Sequence, residues 1–188
     1  MRFVGLDLTL THAGVAVLDP ELAPRLGVVG SAATGASIRE RWQRLRSHRA
    51  NIFDFVDPGW EEDGLPLAGV EGGHAIVEQP AYAQTQGSQH DRSGLWWLVM
   101  QGFADGFDHV TEVPPSVLKK FATGKGNATK AEMMARTAQD FPGVPFKDDN
   151  DSDALWLATM GKAHADPDLS PVPMLAFRVA ALKSVAWG

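Results

Sequence analysis

The chain has 188 residues, of which 44% are hydrophobic and 21% are charged, which suits one domain that we expect to span residues 1–188. It has no cysteine, so disulfide frameworks and thiolate zinc sites are excluded. The longest apolar run, residues 95–100, is far too short to span a bilayer. The N-terminal residues do not form a signal peptide, and we therefore expect a cytoplasmic protein without a membrane segment.

The charged residues are unevenly distributed. The net charge of −6 disfavours nucleic acid as a partner of the protein as a whole. Residues 39–49, however, contain five arginines and a single acid, and residues 119–130 contain four lysines and no acid. Local patches decide nucleic-acid binding, so both segments are candidate DNA contacts, although an exposed basic helix face is often simply solvated.

The first part of the chain predicts three strands and a helix. Apolar residues dominate residues 2–8, 13–18 and 25–30, and the short connections contain Gly14 and Pro20, as an antiparallel meander requires. Ser37-Ile38-Arg39-Glu40 is a capping box, so the first long helix is predicted to begin at Ile38. Residues 57–73, rich in Gly, Pro and acids, predict an exposed excursion within the domain.

Strands and helices alternate in the remainder. Residues 74–78 predict a buried strand that ends on Glu78, and residues 110–113 predict a short strand. Helices are predicted over residues 93–107, 116–121, 130–140 and 151–165, the third of them after a capping box at Thr129. The tail, residues 174–187, has no assignment. This order predicts an α/β domain with a mixed central sheet, a three-strand antiparallel meander and flanking helices, as in the ribonuclease H-like fold.

Three acidic residues lie where a charge is costly. Asp7 interrupts an apolar strand, Glu78 ends another, and Asp153 precedes an apolar helical run. Each alone has a simpler explanation: a turn cap for Asp7, an arginine partner for Glu78 and the helix dipole for Asp153. If the three converge, they repel one another unless a cation intervenes. Oxygen ligands without cysteine or a histidine pair favour Mg²⁺ or Mn²⁺, and two such ions about 4 Å apart support phosphodiester hydrolysis.

Four motifs, taken in order, resemble those of the RuvC family of junction-resolving nucleases. They are Phe3-Val4-Gly5-Leu6-Asp7 followed by Thr9 and Gly14, Val77-Glu78-Gln79, the segment PSVLKKFATGKGNATK at residues 115–130, and Asp153-Ala154-Leu155. The resemblance covers most of the chain. It implies a homodimeric endonuclease that nicks Holliday junctions, and other branched DNA such as forks and flaps, with two Mg²⁺ or Mn²⁺ ions per site. Residues 95–100 are a candidate dimer interface, with burial in the core as the alternative.

Carried over residue by residue, the resemblance also implies roles for five side chains. Asp7, Glu78 and Asp153 would hold the metal ions. Lys119 and Lys130 would approach the scissile phosphate or the neighbouring backbone.

The chain departs from the family at one acidic position, three residues before Asp153. That position is Asn150, which can ligate through oxygen but supplies no charge and cannot act as a base. Asp149 or Asp151 can substitute for it. On a helix Asp149 shares a face with Asp153, whereas Asp151 turns inward only if the helix begins after it. We favour Asp151 as the fourth acidic ligand.

Further DNA contacts are predicted on weaker grounds. Lys125 lies in a Gly-Lys-Gly turn before a helix, where backbone N–H groups also face outward, but the turn lacks the serine or threonine of a P-loop. Arg44 represents the arginine-rich helix. The family carries an aromatic residue soon after its second acid that wedges into the junction, and Tyr82 is the nearest candidate here. Each of these residues also fits an ordinary solvated surface.

Two other functions are compatible with this fold class. A first hairpin with Thr9, Thr11 and Gly14 also suits phosphate binding in actin-like or sugar-kinase ATPases, but those proteins need a second phosphate loop and an adenosine site, for which the sequence has no motif. Asn150 is consistent with a catalytically inactive junction-binding relative. The three retained acids argue against the inactive relative.

Overall fold

A computed structural model describes residues 1–20, 22–31, 37–58, 72–80 and 89–188. Tyr82 and most of the predicted excursion at residues 57–73 lie outside these ranges. No helix within them is both long and apolar enough to cross a membrane. The elements follow in the order β1 (Arg2–Asp7), β2 (His12–Leu18), β3 (Arg25–Gly30), α1 (Ile38–Val56), β4 (Gly73–Glu78), α2 (Gln89–Gly106), β5 (His109–Val113), α3 (Pro115–Thr123), α4 (Lys130–Asp140), α5 (Asp149–Ala165), a 3₁₀ turn (Pro167–Leu169) and α6 (Ala176–Leu182).

The strands in these ranges form one mixed sheet in the order β3-β2-β1-β4-β5. β1 pairs antiparallel with β2, and β2 pairs antiparallel with β3, which confirms the predicted meander. β4 pairs parallel with β1, and β5 with β4, and the connections that lead to them contain α1 and α2. The observed sheet therefore confirms the predicted α/β class.

Both faces of the sheet are buried because side chains alternate along each strand. On β1, Phe3 belongs to a core cluster that includes Trp156 of α5, whereas Val4 belongs to the opposite cluster with Phe53 of α1 and Phe103 of α2. A sheet covered on both faces explains why β1 and β4 are almost continuously apolar. A charge in such a strand is least costly at its end, where solvent or a ligand can reach it.

Helix α5 crosses the first hairpin of the sheet at very short range. A Cβ atom added to Gly5 of β1 would lie 1.9 Å from the carbonyl oxygen of Ala154, and one added to Gly14 of β2 would lie 2.1 Å from that of Asn150. No side chain fits at either position, so the backbone of α5 lies directly on the strands. This approach brings the first turns of α5, including Asp153, next to the end of β1.

Two helices begin earlier than the sequence pattern predicts. α2 begins at Gln89 rather than at residue 93. Its first turn is polar, so the apolar pattern does not reveal it, and it is stabilised by Asp91, which is buried against arginines of α1. α5 begins at Asp149 rather than at residue 151. The reason is a cap: the Asp148 side chain accepts the backbone N–H of Asp151 at 3.1 Å and begins the helix upstream of it. By contrast, α1 and α4 begin where their capping boxes predicted.

The C-terminal segment, which had no assignment, packs on its own domain through α6. Arg178 of α6 is fully buried, donates to the carbonyl of Phe121 at 3.1 Å and pairs with Asp140 at the end of α4. A buried guanidinium needs such partners because an unpaired buried charge is costly. The α3–α4 region, which carries the lysine-rich segment, is therefore held in place by α6.

We expect Gly5→Ala to lower the free energy of unfolding by about 1–3 kcal/mol, because the added methyl group would overlap the α5 backbone. Chemical denaturation followed by circular dichroism measures this change. Gly30→Ala is the matched control, since its added Cβ would approach nothing closer than 3.7 Å. Equal stability of the two variants would contradict the close packing of α5 on β1.

Candidate metal centre

Two of the predicted acids lie side by side at the carboxyl ends of neighbouring parallel strands. Leu6 of β1 is in register with Val77 of β4, so Asp7 and Glu78, the residues that follow them, end their strands at the same edge. The two carboxyl groups are close enough for each to shift the pKa of the other, Asp7 raising that of Glu78 and Glu78 lowering that of Asp7.

Asp153 joins this pair from α5. Its charge raises the pKa of Glu78, and the charge of Asp7 raises the pKa of Asp153. Oδ1 of Asp153 is shielded from solvent and has no hydrogen-bond partner among the described residues. An unpaired buried carboxylate oxygen is rare in folded proteins and indicates a missing partner.

The local environment disfavours negative charge on all three carboxylates. Burial is the largest cause for each of them. It raises the pKa of Asp153 from 3.8 to about 7, with a further contribution from repulsion by Asp7. Burial and the charge of Asp149 raise the pKa of Asp7, and burial together with the charges of Asp7 and Asp153 raises the pKa of Glu78. Such a site is stabilised by protons or by another cation.

The residues fit a divalent metal by their chemistry. All three supply hard oxygen ligands, and Asp153 Oδ1 lacks the partner that a cation would provide. In the described ranges, however, no three His, Cys, Asp or Glu side chains are already spaced as ligands of one ion. Binding of a cation would therefore draw the carboxylates together and favour their charged forms.

Asp149 and Asp151, the two candidates for the fourth acidic position, lie in different surroundings. Oδ2 of Asp151 accepts the backbone N–H of Lys147 at 2.9 Å, and the charges that act on its carboxyl are those of Asp148 and Lys147. Asp149, in contrast, raises the pKa values of Asp7 and Asp153. The expectation that Asp151 turns inward required a helix that begins after it, and α5 begins before it. The structure thus brings Asp149 to the cluster, whereas Asp151 accepts a backbone N–H through Oδ2 and its buried Oδ1 has no partner among the described residues.

The three predicted lysines differ in whether their charges act on these carboxylates. Lys119 of α3 lowers the pKa values of Glu78 and Asp153. Lys130, the first residue of α4, forms an ion pair with Asp149. Lys125 pairs instead with Glu132 at 3.0 Å. Lys119 and Lys130 therefore lie at the cluster, whereas Lys125 lies beside it.

A groove of about 750 Å³ opens from the cluster towards α1 and α2, and its lining includes Asp7, Glu78, Arg44, Trp97 and Glu112. Arg44 pairs with Asp91 at 3.1 Å, and its side chain is 12% exposed. The arginine-rich helix thus uses Arg44 to hold α2 as well as to line the groove.

Sequence reasoning overlooked Glu112. This residue of β5 is in register with Val77 and lies one position before the end of the third parallel strand, at the same edge as Glu78. The sequence gives little signal for it, because β5 is short and its polar residues do not interrupt an apolar run.

The raised pKa of Asp153 predicts how stability depends on pH without metal. A carboxyl whose folded-state pKa is raised favours the folded state at low pH, and this contribution is lost as the pH rises from about 4 to about 7. We expect Asp153→Asn in EDTA at pH 8 to raise the melting temperature by about 4 °C, with a smaller difference at pH 5. Differential scanning fluorimetry measures both.

The exposed Asp168 provides a matched charge control, and Asp168→Asn should not change the melting temperature at either pH. An Asp153→Asn variant that melts at or below the wild-type temperature at pH 8 would contradict the unfavourable environment of Asp153.

Comparison with solved structures places this arrangement in a known fold. The chain is similar to RuvC from Thermus thermophilus, with 17% identity, a TM-score of 0.58 and complete coverage of both chains. It is also similar to T. thermophilus RuvC in complex with a Holliday junction substrate, with 19% identity and a TM-score of 0.62 over 100% of this chain and 99% of the other. No protein-family model matches the sequence, and no curated protein matches it. The fold of this chain is that of RuvC.

Proposed function

We propose that this protein is a divalent-metal-dependent endonuclease that resolves Holliday junctions, and nicks other branched DNA, as a homodimer within a single domain of residues 1–188. The observation that carries the proposal is the cluster of Asp7, Glu78 and Asp153 at one edge of a RuvC-like sheet. Burial and repulsion disfavour the charged forms of these carboxylates, and a divalent cation would stabilise them. T. thermophilus RuvC has been solved with a Holliday junction bound, which supports branched DNA as the substrate.

In the proposed mechanism, Asp7, Glu78 and Asp153 hold two Mg²⁺ or Mn²⁺ ions, with Asp149, rather than Asp151, as the nearby fourth acid. Such ions, when bound, supply the activation of a water molecule and the stabilisation of the leaving oxygen. Burial keeps the carboxylates poorly hydrated, which strengthens their attraction for a cation.

The basic residues contribute by binding the DNA backbone. Lys119 is close enough to Glu78 and Asp153 to lower their pKa values, so a phosphate brought to the cluster would also meet its ammonium group. Lys125 and Lys130 extend the positive charge along α4 and the turn before it. Arg44 lines the groove on the other side. Tyr82 completes the set as the proposed aromatic contact with the junction centre.

The dimer is proposed to form through α2. Trp97 is 68% exposed there, and it borders an apolar cavity of about 820 Å³ together with Trp96 and Met100. An exposed tryptophan beside an apolar cavity is typical of an interface. A two-fold dimer would present two carboxylate clusters to a substrate that itself has two-fold symmetry.

We expect Glu78→Gln to reduce cleavage of a synthetic four-way junction by at least about 100-fold, because the amide keeps the shape of the side chain but removes a charged metal ligand. Junction binding should be retained or strengthened, since repulsion of the phosphates falls. Single-turnover cleavage assays on gels and fluorescence anisotropy, in Mg²⁺, Mn²⁺ or EDTA, measure the two properties.

Asp168→Asn removes the same charge from the exposed turn that follows α5 and should cleave like the wild type. Linear duplex DNA of the same sequence controls for structure selectivity. Normal cleavage by Glu78→Gln would refute the site, and ATP hydrolysis without nicking would favour the ATPase alternative.

A further inference from the structure

Lys130 and Asp149 form an ion pair directly at the carboxylate cluster. Nζ of Lys130, the first residue of α4, contacts Oδ2 of Asp149, the first residue of α5. The lysine side chain is 80% exposed, whereas the aspartate side chain is 30% exposed. The ammonium group therefore approaches a mostly covered carboxylate from the solvent side.

Both members of the pair act on the proposed metal ligands. Asp149 raises the pKa values of Asp7 and Asp153, and Lys130 lowers both of them. The ammonium group thus offsets part of the negative charge that Asp149 adds. In this respect Lys130 occupies the electrostatic role that a divalent cation would fill.

The neighbouring lysine provides a contrast within the same segment. Lys125 pairs with Glu132 at 3.0 Å, and its charge is not among the main influences on Asp7, Glu78 or Asp153. The two lysines therefore differ in what they neutralise. Only the partner of Lys130 belongs to the acidic cluster.

We propose that Lys130 is a resident counter-ion that holds Asp149 while the cluster lacks a divalent cation and releases it when the cation binds. The inference rests on the proposed function for the presence of the cation. Breaking an exposed ion pair costs little, and the lysine stem is long and flexible, so the exchange needs no movement of α4 or α5. The released ammonium group is then available to a DNA phosphate.

The exchange would link metal loading to DNA binding. A cation that takes over Asp149 frees Lys130 for the phosphate backbone, so bound cation should strengthen DNA binding through this side chain. Linkage requires the reverse as well: DNA that engages Lys130 should strengthen cation binding. The site would thereby hold its metal most firmly when substrate is present.

The test is calorimetric titration of Mn²⁺ into the full-length protein without DNA. We expect Lys130→Ala to bind Mn²⁺ about two- to fivefold more tightly than the wild type, the range that loss of an exposed competing ion pair allows. Lys125→Ala removes the same charge from the same segment and should leave the affinity unchanged. Because the side chain of Lys130 is mostly exposed, both variants are expected to fold.

Asp149→Asn distinguishes exchange from a general effect of charge. Alone, it should weaken Mn²⁺ binding by about tenfold. When Lys130→Ala is added to the Asp149→Asn variant, the Mn²⁺ affinity should not change further, because no carboxylate is left for Lys130 to release. If Lys130→Ala strengthens binding equally in both backgrounds, or in neither, the exchange is refuted.

The failure of this inference is distinguishable from failure of the proposed function. A wild-type protein that binds no Mn²⁺ and cuts no junction would end the nuclease proposal. A protein that binds Mn²⁺ and cuts, but in which Lys130→Ala leaves Mn²⁺ affinity unchanged, would overturn the counter-ion role alone.

Discussion

The functional site depends on one close contact, that of the α5 backbone with the first hairpin of the sheet. Gly5 and Gly14 leave no room for side chains between the strands and the helix, and the carbonyls of Ala154 and Asn150 occupy that space. Because of this contact, a helix far away in sequence delivers Asp153 to the ends of β1 and β4. A wider separation, with ordinary side chains between the layers, would leave Asp153 too far from Asp7 for their charges to interact strongly.

That contact brings buried negative charges close together, which destabilises them. This unfavourable arrangement identifies the functional site. Three carboxylates are pressed together under partial burial, their pKa values rise, and one oxygen of Asp153 has no partner within the described part of the chain. Nearby cationic groups reduce the cost only in part. Proteins retain such an unfavourable arrangement where a ligand relieves it, since functional sites often conflict with stability.

Much of the fold was predictable because its signals are local. The apolar strands 2–8, 13–18 and 25–30 and the capping boxes at Ser37 and Thr129 each depend on residues within a few positions of one another. The predictions failed where the deciding contact is distant. The polar start of α2 forms because Asp91 meets arginines of α1, and the tail is ordered because Arg178 reaches Phe121 and Asp140.

The same distinction applies to the carboxylates. The sequence alone determined which acids were unusual, because a charge in an apolar strand is costly wherever the strand lies, and this singled out Asp7 and Glu78. Only the tertiary structure decided which of Asp149 and Asp151 accompanies them. The Asp148 cap begins α5 upstream of both residues, and two positions on a helix point about 200° apart, so Asp149 and Asp151 face different ways. No local pattern specifies which of the two faces the cluster, because that depends on how α5 packs against the glycines of β1 and β2.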